Sequence, residues 1–144
     1  MILFAAALMA LLAGATSDAP ALIVQAPDSP VKIDRATVVT TTGAPPVIVY
    51  SATSQTDGDL DQFTVMVFVF DADGMLKARQ TAPARRTLEA HTTKFSTIVL
   101  DGAPIGGTDQ IVIGVNQAQR VNSDAWWRAD IQAAAQAAVQ HKKP

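Results

Sequence analysis

The chain contains no cysteine. That excludes a disulfide framework, a zinc site built on thiolates and a lipid-modified cysteine behind an export signal, so the fold must rest on an ordinary apolar core. Acid–base chemistry is also thinly supplied, because Glu89 is the single glutamate and His91 and His141 are the only histidines. Charge of one sign is lacking as well: 11 Lys and Arg stand against 13 Asp and Glu, and apart from the pairs at 85–86 and 142–143 the basic residues are scattered. Without a basic stripe to neutralise a run of phosphates, neither nucleic acid nor an anionic membrane surface is an expected partner.

What is present begins with an apolar segment. Residues 1–15, MILFAAALMALLAGA, carry no charged side chain and end in Ala13-Gly14-Ala15, a small-residue triplet suited to signal peptidase. A membrane-spanning helix needs about 20 apolar residues, and Thr16, Ser17 and Asp18 interrupt this run well before that. The expectation is a signal peptide at 1–15, a mature chain starting at Thr16, and a periplasmic or secreted protein with no stable membrane anchor after cleavage. The mature part, about 130 residues, suffices for one core and one domain.

Pro20, Pro27 and Pro30 mark 16–30 as a proline-rich leader with at most a short edge strand at 21–25, since proline removes backbone donors. The domain proper is placed at 31–140, followed by a tail at 141–144. Extended runs recur at 32–42, 47–54, 63–70, 75–81, 93–100 and 110–117, separated by turn-rich stretches such as TGAPP, QTDGDLD and DGAPIGGTD. Short strands at this spacing predict an all-β, immunoglobulin-like antiparallel sandwich of about six or seven strands. The run 63–70 followed by Asp71-Ala72-Asp73-Gly74 reads as a hairpin whose turn sits on residues 73 and 74.

The strand at 63–70 is apolar on both faces, with Phe63, Val65, Val67 and Val69 on one and Met66, Phe68 and Phe70 on the other. A two-layer sandwich accounts for only one of them. The predicted cover is a C-terminal helix at 123–140, capped by Ser123, whose stripe is Trp127, Ile131, Ala134, Ala135, Ala138 and Val139, with Gln132, Gln136 and Gln140 opposite.

No catalytic, cofactor or metal site is expected. Asp57, Asp59 and Asp61 alternate as at the start of a calcium-binding loop, but Gln62 stands where the turn glycine belongs and Phe68 where the bidentate glutamate belongs. The second acidic loop, 71–74, lies about 25 Å away along the intervening strand, too far to share an ion. His91 follows Glu89 in TLEAHTTK, yet no local motif presents a nucleophile to it. The candidate interaction surface is Trp126, Trp127 and Arg128: either both rings wedge against the sheet edge, or one is free to bind a partner.

VMVFVFDADGMLKARQ followed by TLEAHTTKFSTIVL resembles the FxLYD-type immunoglobulin-like domains of bacterial exported proteins, over residues 47–100. The resemblance implies a small sandwich used as a binding or assembly module, with no catalytic residue to carry over. The expected function is therefore non-enzymatic binding of a protein or cell-envelope component. The alternative is a small-ligand or glycan-binding domain that uses Trp126, Trp127 and Arg128 as a stacking platform.

Overall fold

The computed structural model describes residues 16–84, 87–102 and 104–142, so the expected signal peptide lies outside the described residues. Each extended run forms a strand: β3 (Val31–Thr41), β4 (Val47–Ser54), β5 (Leu60–Phe70), β6 (Leu76–Ala84), β7 (Thr93–Val99) and β8 (Gln110–Arg120). Three further strands, β1 (Thr16–Pro20), β2 (Leu22–Ile23) and β9 (Trp126–Arg128), precede a single helix, α1 (Gln132–Lys142), among the described residues.

The first sheet has the order β1-β3-β4-β7; in the second, β2-β8-β5-β6, β9 also pairs with β8. The hairpins β3–β4, β5–β6 and β8–β9 each stay within a sheet, while the chain changes sheet between β4 and β5, β6 and β7, and β7 and β8. This is the immunoglobulin-like sandwich, with β1 and β2 added to it. Every pairing is antiparallel except β2 with β8, which is parallel.

Alternation builds the core between the sheets. Ile33, Ala36 and Val38 of β3, Ile48, Tyr50 and Ala52 of β4, and Ile98 of β7 meet Phe63, Val65, Val67 and Val69 of β5 and Ile111, Ile113 and Val115 of β8. On the other side of the second sheet Phe68, Phe70 and Val112 form a separate cluster with Ile131, Ala135 and Val139. The helix does cover the second apolar face, giving a third layer.

The helix starts later than its pattern suggests. Asp130, not Ser123, caps it, its Oδ1 accepting the Gln132 N–H at 3.1 Å. Ser123 instead closes a turn by accepting the Ala125 N–H at 3.1 Å. Residues 126–128 form β9 because the edge of β8 offers them backbone partners and aromatic side chains suit a strand. The buried stripe narrows to Ile131, Ala135 and Val139, while Ala134 is exposed. Gln132 and Gln136 do not face solvent freely: Arg79 donates to Gln132 Oε1 at 3.1 Å, and Gln136 Nε2 donates to the Gly74 carbonyl at 2.7 Å. At its far end the helix continues through His141 and Lys142, where the sequence predicts a tail.

The leader is also more structured than its prolines suggest. β1 pairs with β3 along its length, because Pro20 sits on an edge strand where its missing donor is harmless. Leu22, Val24 and Ala26 join the helix-side cluster. Gly114 makes this possible, since a Cβ there would lie 2.7 Å from Ile131 Cδ1 and 2.8 Å from the Val24 carbonyl. At the β5–β6 hairpin the turn differs from the expected residue pair: Gly74 N–H donates to the Asp71 carbonyl and Asp71 N–H to the Met75 carbonyl, at 3.0 and 2.9 Å. Only Gly74 takes positive φ, at 82°, so this is a three-residue loop with a glycine bulge.

Candidate functional site

Successive residues of a strand point to opposite faces, so β9 separates its two tryptophans. Trp127, opposite Ala118, packs on the core between the sheets; its Nε1 is buried and has no hydrogen-bond partner. Trp126, opposite Gln119, is half-buried, and Arg128 is exposed. Both residues border a groove of about 180 Å3 at the end of the sandwich, with Pro30, Leu60, Asp28 and Arg120. Arg128 is not among its lining residues. Trp126, Trp127 and Arg128 therefore do not form one flat stacking platform.

The acidic loops are engaged in turns. Asp71 Oδ1 accepts the N–H groups of Asp73 and Met75, both at 2.9 Å. Asp59 Oδ1 accepts the Ala90 N–H at 2.9 Å, and Asp57 Oδ1 lies 2.7 Å from His91 Nε2. The fold thus joins His91 to Asp57 rather than to Glu89, in a solvent-exposed pair at a residue whose φ is 55°. Among the described residues no three His, Asp or Glu side chains are grouped to hold a metal ion.

Asp109 is the one nearly covered carboxylate in an ion pair among the described residues. Lys77 Nζ lies 2.6 Å from its Oδ2, which also accepts the Gly106 N–H at 2.7 Å. Burial pushes this carboxyl up, but the Lys77 hydrogen bond, the Gly106 N–H and the Lys77 charge outweigh burial and hold it below the ordinary value of 3.8. Lys77 also donates to the Pro104 carbonyl at 3.1 Å, so the pair pins the loop before β8 to β6. It is a structural tether.

The surface that sequence reasoning missed is the outer face of the first sheet. The strand registers stack Val39, Val47 and Val99 in one rung, Thr37, Val49 and Thr97 in the next, and Arg35, Ser51 and Phe95 in a third. No element packs over these rungs among the described residues. Phe95 is 72% exposed, Val99 47% and Val49 39%. A shallow depression of about 330 Å3 runs past Asp18, Arg35, Val39, Val49 and Phe95. The phase of β7 decides this: Ile98 is its buried residue, so 93, 95, 97 and 99 face outward, and Phe95 lies on the side away from the core. At the same edge Lys94 is turned toward the inner side, donating to the Thr87 carbonyl, an arrangement that discourages another strand from pairing with β7.

Comparison with protein-family models, with curated proteins and with solved structures finds no match for the chain.

Proposed function

We propose that this is an exported, non-enzymatic immunoglobulin-like module that binds a protein of the cell envelope through the outer face of its first sheet. The observation that carries the reading is Phe95, 72% exposed on the edge strand β7, in a face that no other element covers among the described residues. Large aromatic side chains left in water on a rigid sheet are typical anchors of protein interfaces, and Arg35, on the same rung across Ser51, supplies the other favoured residue type. Export is supported by the apolar 1–15 segment ending in Ala13-Gly14-Ala15.

The small-ligand or glycan reading keeps one favourable observation, the groove beside Trp126 with Asp28 and Arg120 on its wall. A photo-crosslinking residue placed in turn at positions 95, 126 and 56 in cells separates the two. A defined protein adduct from position 95 alone supports the first reading. Adducts equal at all three positions, or none at 95, overturn it, and protection of position 126 by an added glycan favours the second. N-terminal sequencing of the envelope form tests export, with Thr16 as the expected first residue.

A further inference from the structure

β1 is attached differently from every other long strand. Its pairing with β3 runs in register from Thr16 opposite Thr41 to Pro20 opposite Thr37, yet all five of its residues are exposed. Two of them should not be. Ala19 stands opposite Val38, a core residue, so Ala19 and Ser17 turn their side chains toward the space between the sheets. There they meet a groove of about 230 Å3 rather than packed atoms, walled by Val38, Thr40, Ile105, Gly106 and Ile111. The strand is held by its backbone ladder and contributes no side chain to either buried cluster. Immediately after Pro20, Ala21 is buried, its N–H bonded to the Ala36 carbonyl at 3.0 Å, and β2 departs for the other sheet. The chain therefore has a fixed point at Ala21, and β1 can leave without disturbing the strands after it.

The geometry points to the β3 edge as a strand-acceptor site, in which an extended segment of another protein, with aliphatic side chains where Ser17 and Ala19 now stand, displaces β1 and fills the groove. The occupant is set by two features. The edge already accepts an antiparallel strand, so an incoming segment continues an existing interface and regains the backbone bonds that β1 gives up. Val38, Ile105 and Ile111 supply an aliphatic portion of a wall that Thr40 and Asp109 complete, and Ser17 and Ala19 are too small to cover that portion. A second copy of this chain would bring the same Ser17 and Ala19 and leave the groove empty, so an aliphatic segment is the better match. This site is on the edge opposite β7, on the inner side of β1, whereas Phe95 lies on the outer face of the sheet, where β1 contributes only Asp18 to the neighbouring depression.

The test uses the purified full chain, isotope-labelled, and two synthetic peptides: Lys-Thr-Leu-Asp-Leu-Pro-Lys, and the control Lys-Thr-Ser-Asp-Ala-Pro-Lys. The leucine peptide should bind about tenfold more tightly than the control, broaden or shift the β1 amide resonances, and protect the β3 amides that face β1. Ser17→Leu with Ala19→Leu in the chain itself should fill the groove from within, slow exchange of those β3 amides, and weaken the leucine peptide about tenfold. Phe95→Ser should leave the peptide affinity unchanged. Equal binding of the two peptides overturns the proposal, as does a Phe95-dependent affinity or a concentration-dependent dimer that exchanges β1 between copies without taking up peptide. If the double variant does not fold, the two peptides against the unaltered chain still decide.

Discussion

On the outer face of the second sheet, Phe68, Phe70 and Val112 are completely buried beneath residues 22–26 and α1. On the outer face of the first sheet, Phe95 and Val99 stand in water among threonines and Arg35, with Ser51 buried between Arg35 and Phe95. Both faces belong to strands whose inner residues alternate into the same core. The difference is how much apolar surface each presents in one place. Burying a phenylalanine or valine stabilises by roughly 1.5 to 3 kcal/mol, so a face with several large apolar residues draws a third layer onto itself. The rungs of the first sheet dilute one phenylalanine and a few valines with hydroxyls and a guanidinium. A face of that composition tolerates water and remains available to a partner.

Removing the cover should have the largest effect. Ile131→Asp places a carboxylate against Phe68 and Phe70 and is expected to cost roughly 3 to 5 kcal/mol, whereas Gln132→Asp, one residue on, should stay within about 0.5 kcal/mol because it keeps an acceptor near Arg79. Urea denaturation of the two variants measures this. Similar midpoints would mean that the helix is not a structural layer. Next comes the glycine beneath the cover: Gly114→Ala drives a methyl group into Ile131 and the Val24 carbonyl, an expected loss of about 1 to 3 kcal/mol. The same change at Gly58, where an added Cβ meets nothing within 4 Å, is the control for glycine entropy alone.

A smaller, pH-dependent effect is expected from Asp109. Its folded pKa is lowered, so the Lys77 tether contributes stability above the unfolded value near 3.8 and loses it as pH falls through the lower folded value. Lys77→Met should remove that acid sensitivity below pH 4 and destabilise at neutral pH, because it leaves a nearly covered carboxylate without its cation. Thermal melts across pH 2 to 7 would show it; identical pH profiles would deny the tether its role. The smallest effect belongs to the bare face. Phe95→Ser should change stability by no more than about 0.5 kcal/mol. A loss above about 2 kcal/mol would show that Phe95 is covered in the folded protein, and the contrast between the two faces would collapse.

Much of the sandwich could be read from the chain. The runs from 32–42 to 110–117 became β3 to β8 because β-branched and aromatic residues alternate there between turn residues, a local property. The two apolar faces of β5 also announced that a third layer had to exist. The segment 123–128 was legible only as ambiguous: Ser123 and Asp124 imitate a helix start, while Trp126 and Trp127 suit a strand equally well. Pairing with the open edge of β8, distant in sequence, settles the choice. The leader is legible in part: the edge strand expected at 21–25 appears as β2, while β1 is hidden because Pro20 argues against a strand except at an edge that can spare a donor. Phe95 was overlooked because exposure depends on which phase of β7 faces the core, and Ile98 sets that phase only once β4 is beside it.

By itself, the sequence determined the strand segments, the approximate order of turns, the absence of disulfides and the need for a cover on β5, because each comes from the chemistry of neighbouring residues. Tertiary structure alone decided that β9 and not a longer helix follows β8, that Gly114 admits Val24 and Ile131, that Trp127 enters the core, and that β1 lies over an unfilled groove. Those outcomes depend on edges, voids and contacts between residues far apart along the chain, which exist only after the sheets have paired.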